Sequence, residues 1–133
     1  MSDVVTCTID GGVADVRLNR PEKLNSLTPE LFAALADTGD ELAANPSVRA
    51  VVLSGEGRGF CAGLDFSMFQ QMSGGDAASA NGQPSRPILR PTPEGEPVVL
   101  SLGQKAVLVW RDMPAPVIAA IQGPALGGGF QIA

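Results

Sequence analysis

Two glycine-rich turns carry most of the chemical promise of this sequence, Gly59-Phe60-Cys61-Ala62-Gly63-Leu64 and Gly123-Pro124-Ala125-Leu126-Gly127-Gly128-Gly129. Each follows a short apolar run. Glycine lets a backbone turn freely and come close to a ligand, so N–H groups can be aimed into a cleft. Two such groups converging on one point would hold an oxygen on which negative charge develops, the arrangement of an oxyanion hole. Plain strand-to-helix turns also need glycine, and spacing alone leaves both readings open. Gly57-Arg58-Gly59-Phe60-Cys61-Ala62 formally fits the G-x-G-x-x-A dinucleotide pattern, but it leads into a Gly/Pro-rich stretch and not into a long helix. A G-x-x-x-x-G-K-[ST] phosphate loop is absent from the sequence.

The remaining side chains narrow the chemistry further. Histidine is missing altogether, which removes Ser-His-Asp and Cys-His catalysis and imidazole-based zinc sites from this chain. Cys7 and Cys61 are too few for a disulfide framework or a metal site, so no metal is expected. Without a histidine to activate it, Cys61 reads as a small buried thiol. Asp65 could act as a base, or it could cap the helix after the turn. Glu22, Glu94 and Glu96 fall in loops and read as solvated. Gln131 stands three residues past Gly128, where it could face the same cleft. An amide can orient water or substrate there, but it cannot take a proton.

The elements that must position these turns are legible from periodicity. Val4 to Ile9 alternates, Asp10-Gly11-Gly12 tolerates positive φ, and Val13 to Leu18 alternates again, which predicts a hairpin. Thr28, Pro29 and Glu30 read as N-cap, N1 and N2 of a helix. Its stripe of Leu31, Phe32, Leu35 and Leu42 runs until Asn45-Pro46. The apolar run within Val48–Leu53 predicts a strand buried on both faces and hence a βαβ crossover in a parallel sheet. Residues 73–97 hold four Gly and five Pro with no periodicity and read as a flexible surface loop within one domain. Val98 to Asp112 predicts a helix turning Leu102, Ala106, Val109 and Trp110 inward, and Val117 to Ile121 a second apolar strand.

At 133 residues and 44% apolar content the chain has the size and composition of a single α/β domain with a core. Nine Lys+Arg against fourteen Asp+Glu give a net charge of −5, which disfavours nucleic acid or an anionic membrane as partner. No apolar run reaches bilayer length, and the first residues lack a signal-peptide pattern. A cytoplasmic protein is the expectation.

Taken together, three segments resemble the crotonase superfamily, the enoyl-CoA hydratase/isomerase family. They are Leu18-Asn19-Arg20-Pro21-Glu22-Lys23-Leu24-Asn25-Ser26-Leu27, Gly59-Phe60-Cys61-Ala62-Gly63-Leu64-Asp65 and the Gly123–Gly129 turn, in that order. The resemblance implies the N-terminal portion of a crotonase-like ββα superhelix, incomplete at the C-terminus. It implies an acyl-CoA substrate, with coenzyme A present as part of that substrate and no covalently bound cofactor. Motif for motif, the N–H groups that hold the thioester oxygen fall on Leu64 and Gly128. CoA contacts fall on Lys23, Leu24, Ala62 and Leu64. Relatives assemble as trimers or paired trimers, so a homotrimer or hexamer is implied for a full-length protein.

Gln131 departs from the family pattern, because hydratases carry a glutamate there. Adding water across a double bond needs one group to remove a proton and one to deliver it. Isomerase-type chemistry with one carboxylate is therefore favoured over hydration. A thioesterase or decarboxylase using the same oxyanion hole is the alternative within the family. A non-catalytic CoA-binding module or an inactive truncated product is the alternative outside it. The 133-residue chain alone is expected to be inactive and to expose apolar faces of Val48–Leu53 and Val117–Ile121.

Overall fold

Alternating side chains make Val5–Asp10 (β1) and Val13–Leu18 (β2) an antiparallel hairpin, turned by Gly11 and Gly12 at φ 54° and 85°. The computed structural model describes residues 3–73 and 87–133. After β2, Pro21–Lys23 forms one 3₁₀ turn, and the chain enters helix α1, Pro29–Ala43. The Thr28 hydroxyl accepts the Leu31 N–H at 3.2 Å, and Pro29 occupies a first-turn position where no N–H is needed. Strand β3, Ala50–Gly55, follows, then helix α2, Phe66–Ser73. Strands β4 (Ile88–Arg90) and β5 (Val98–Leu100) pair antiparallel. Helix α3 (Leu102–Arg111), strand β6 (Val117–Ala119) and the short helix α4 (Gly128–Ile132) complete the chain.

The main sheet has the order β1-β2-β3-β6, with β2, β3 and β6 mutually parallel. Val5, Ala14, Val16, Leu18, Val51 and Leu53 point to its inner face and are buried. Helices α1 and α3 supply Leu31, Phe32, Leu35, Leu42, Ala106, Val109 and Trp110 to the same core. Burying such side chains contributes about 1.5–3 kcal/mol each, the main drive for this layer of helix on sheet. Lys105 of α3 and Asp40 of α1 close the outer rim of that contact with an ion pair at 2.5 Å.

Three expectations are corrected. Strand β3 is not buried on both faces: Val51, Leu53 and Gly55 are buried while Ala50, Val52 and Ser54 are half-covered. Its Val51 and Leu53 face the core shared with α1 and α3, and the other face is only partly covered. Residues 98–100 are strand, and α3 begins at Leu102, where the Ser101 hydroxyl and the Gln104 side chain form a reciprocal capping box. Within 73–97, residues 74–86 lie outside the described residues, but Ile88–Arg90 is a strand. Its Arg90 guanidinium is bound to Asp112 by two hydrogen bonds of 2.7 Å, which fastens the β4–β5 hairpin to the end of α3.

The expected exposed apolar faces appear at β6 and beyond it, where Ile118 is 57% and Ile121 53% exposed. The indole N–H of Trp110 is buried without an acceptor among the described residues. No helix of the described residues is long and apolar enough to cross a membrane.

Helices α1 and α3 pack against each other at Gly39. A Cβ built there would lie 2.5 and 2.6 Å from the two Val109 methyl groups. Alanine favours a helix over glycine by about 1 kcal/mol, but overpacking costs about 1–3 kcal/mol. Gly39→Ala is therefore expected to lower the unfolding free energy by about 1 kcal/mol net, read as a lower urea midpoint. The same change in a Val109→Ala background is expected to be neutral or stabilising.

Candidate functional site

Three loops leave the C-terminal ends of the parallel strands β2, β3 and β6, and they hydrogen-bond one another in the order of their strands. In the middle loop, the N–H groups of Phe60 and Cys61 donate to the carbonyls of Gln122 and Pro124 at 2.8 and 3.0 Å. The Cys61 carbonyl accepts the Leu126 N–H, completing a parallel bridge between Cys61 and Ala125. On its other side, the Ala62 N–H donates to the Leu24 carbonyl at 2.9 Å. The Gly63 carbonyl accepts the Leu27 N–H at 2.7 Å, and the Asp65 N–H donates to the Leu27 carbonyl at 2.9 Å. The sheet is thus prolonged, loop on loop, past the ends of its strands.

Close approach dictates the glycines here. Gly63 has φ 93°, and a Cβ on it would lie 2.9 Å from the Leu126 carbonyl oxygen. A Cβ on Gly129 would lie 2.5 Å from the Cys61 carbonyl oxygen and 2.8 Å from its sulfur. Larger residues would force the middle and third loops apart.

This ladder leaves two donors over. The bridge to Leu27 uses the atoms of Gly63 and Asp65, so the intervening Leu64 N–H points away from Leu27 and has no acceptor among the described residues. Gly128 opens α4, where an N–H has no partner within the helix. It too lacks an acceptor among the described residues. Leu64 and Gly128 each follow directly the residues at which the two loops touch, Gly63 against Leu126–Gly127. Neighbouring free N–H groups of this kind suit a partly charged oxygen.

Leu24, Ala62, Leu64 and Gly128 are brought together by these loops, all half-buried, with Lys23 exposed beside them. Gln131 is exposed and lines a groove between α3 and β6 with Val107, Trp110, Val117 and Ile132. It therefore lies along α4 from Gly128, and its side chain takes no part in the loop ladder. Cys61 is fully buried, and its thiol donates to the Asn25 carbonyl at 3.1 Å. Burial pushes that thiol up from its ordinary pKa, against an opposing hydrogen bond from the Gly63 backbone, so it is no nucleophile.

Asp65 caps α2, accepting both the N–H and the hydroxyl of Ser67 on Oδ1 at 3.1 and 2.8 Å. Its Oδ2 accepts the Ser26 hydroxyl at 2.8 Å and faces the Arg20 guanidinium at 3.4 Å. The Ser26 hydroxyl, followed by Ser67 and Arg20, holds this carboxyl down at about 2. A carboxylate so engaged is a poor base at neutral pH.

One residue central to this geometry had no role assigned from sequence. Asn25 is fully buried, and its amide binds the backbone of two loops at three points. An asparagine two positions beyond the Pro21–Lys23 turn was the available signal.

The sequence matches the family model described as Enoyl-CoA hydratase/isomerase over residues 8–133. The chain belongs to that family. It is 32% identical over 133 residues to the 1,2-epoxyphenylacetyl-CoA isomerase of Escherichia coli, covering 100% of this chain and 45% of that protein. It is 35% identical over 132 residues to the (E)-benzylidenesuccinyl-CoA hydratase of Thauera aromatica, covering 97% of this chain and 43% of that one. The solved structure of an enoyl-CoA hydratase/carnithine racemase from Magnetospirillum magneticum superposes with a TM-score of 0.78 at 29% identity, over 100% of this chain and 44% of that one. This family member has the crotonase-like α/β fold, in an N-terminal portion of it. The chain spans less than half the length of the curated relatives it matches, 37% in one case and 45% in another.

The pH dependence of the loop cluster follows from Asp65. Its folded pKa lies below the unfolded value, so its contribution is complete above the unfolded pKa of about 4 and lost as pH falls toward about 2. Asp65→Asn is expected to cost about 1–2 kcal/mol at pH 7. The gap to the parent chain in denaturant midpoints should close as pH approaches about 2.

Proposed function

We propose that this family member binds acyl-CoA thioesters and stabilises a thioester enolate between the N–H groups of Leu64 and Gly128. The observation that carries this reading is the pair of unspent donors on neighbouring loops. When a carboxylate of the full-length protein takes the proton from the carbon beside a thioester carbonyl, charge moves onto the carbonyl oxygen. Two fixed N–H groups meet that charge without reorganising, and one such donor contributes about 100- to 1000-fold to rate. Lys23, Leu24, Ala62 and Leu64 contact the CoA portion. Coenzyme A enters as part of the substrate, with no separate cofactor and no metal.

Isomerase-type chemistry with one carboxylate is favoured over hydration. Gln131, on the same short helix as Gly128, can orient an acyl group or a water but cannot carry the proton. Two similar proteins are named as an isomerase and a hydratase of acyl-CoA compounds, and Gln131 argues for the first type. A thioesterase or decarboxylase would use the same cradle. The full-length protein is proposed to be a cytoplasmic homotrimer or hexamer. Gln131 also favours a second reading, a CoA-binding module without turnover. Turnover of any acyl-CoA by the 133-residue chain would overturn that second reading.

In titration calorimetry the chain is expected to bind crotonyl-CoA more tightly than free CoA. Equal affinities would remove the thioester oxygen from the site. Gln131→Glu is expected to raise crotonyl-CoA hydration by about 100-fold or more in the full-length enzyme, by supplying an acid–base group. Efficient hydration by the parent enzyme that is lost in Gln131→Ala would instead mean that the amide suffices.

A further inference from the structure

We infer that Asn25 is the positioning residue of the oxygen cradle, fixing the Leu64 N–H where a thioester oxygen meets it. This inference rests on the function proposed above. Asn25 is 0% exposed, and all its polar atoms are engaged, by its own loop and by the middle loop that carries Leu64. Its Oδ1 accepts the Arg20 N–H at 2.7 Å, and its Nδ2 donates to the carbonyls of Glu56 and Gly59, both at 2.9 Å. Its backbone N–H donates to the Arg20 carbonyl at 2.9 Å, and its carbonyl accepts the Cys61 thiol.

The backbone conformation at this point is unusual. Leu24 and Asn25 lie at φ 49° and 54°, two consecutive left-handed residues that are not glycine. That region costs an ordinary residue about 1–2 kcal/mol, and asparagine less than most. The cost is offset only because the side chain is fully bonded. A neighbouring glycine is matched to it: a Cβ on Gly55 would lie 2.7 Å from Asn25 Nδ2.

These bonds act on Leu64 through a short path. The Asn25 amide grips the middle loop at Glu56 and Gly59, where the chain leaves β3. Residues on either side of Asn25 then hold the same loop further on, through Leu24 to Ala62 and Leu27 to Gly63 and Asp65. Phe60, Cys61, Ala62 and Asp65 all have carbonyl acceptors for their N–H groups, and the Gly63 N–H meets the Cys61 sulfur. Leu64 is the donor this clamp leaves unspent. Cradles of this kind must be held within about half an ångström of the working geometry, so a slack amide clamp loosens the donor before it unfolds the sheet.

Asn25→Gly is the variant of choice, because glycine keeps the left-handed backbone at no steric cost and removes only the amide. The readout is the absorption red shift of a conjugated dienoyl-CoA on binding, which reports polarisation of its carbonyl, set beside the affinity for free CoA. The parent chain should show the red shift. Asn25→Gly should lose more than half of it and bind the dienoyl thioester about 10-fold more weakly. Its affinity for free CoA should stay within about 3-fold of the parent's, because the CoA contacts proposed for Lys23, Leu24 and Ala62 do not use the Leu64 N–H.

An undiminished red shift in a folded Asn25→Gly chain overturns the positioning role and leaves the proposed function standing. A parent chain with no red shift and no thioester preference overturns both. If Asn25→Gly unfolds, Asn25→Ser is read in its place. Unfolding of both variants would make Asn25 a determinant of the fold alone and overturn the inference.

Discussion

A backbone N–H in a packed loop must find an acceptor or remain wet, and the arrangement of the three loops beyond β2, β3 and β6 depends on that constraint. They satisfy one another by repeating the strand order outside the sheet, with the middle loop bonded on both sides. Parallel pairing makes the bookkeeping specific. In the bridge between Leu27 and Leu64, the bonds go to the residues flanking Leu64 and its own N–H faces the other way. The first N–H of a helix is free for a different reason, the lack of a preceding turn. Gly128 is in that position. Two independent rules of backbone geometry thus leave donors free on adjacent loops.

Holding loops this close demands small residues and precise polar fillers. Gly63 and Gly129 are there because the neighbouring backbone leaves no room for a Cβ. Asn25 fills the space beneath the turn with an amide whose donors and acceptor are all matched. Asp65, flanking Leu64 on the other side, is tied to Ser26 and Arg20 in the first loop and to Ser67 at the start of α2. The residues on both sides of the free donor are therefore anchored, and the acid nearest to it is spent on structure. So engaged, the Asp65 carboxylate beside Leu64 is unsuited to proton transfer.

Much of this was legible in the sequence. The alternation of Val4–Ile9 and Val13–Leu18 around Gly11-Gly12 announced the hairpin, and Thr28-Pro29 announced the start of α1, because both signals are local. The two glycine turns and the segment around Asn25 pointed to the family as a combination. Other features were not legible. Ala50 to Leu53 is apolar at every position, which resembles a strand covered on both faces, yet only Val51 and Leu53 are fully buried while Ala50 and Val52 are half-covered. Val98 to Leu100 continues the apolar pattern of α3 but pairs with β4, since the Ser101–Gln104 capping box starts the helix later.

By itself the sequence determined the β1–β2 hairpin, the start of α1, the family and the two glycine turns, because capping, alternation and glycine spacing act within a few residues of one another. Only the tertiary structure decided which N–H groups stay unpaired, since that depends on bonds between residues such as Leu27 and Gly63, or Cys61 and Leu126. It also decided the role of Asn25, whose partners lie 5, 31 and 34 positions away along the chain. A hydrogen bond across that distance leaves no local pattern. Its partners are backbone carbonyls and an N–H that any residue could supply, so the identity of Asn25 is constrained while that of its partners is not.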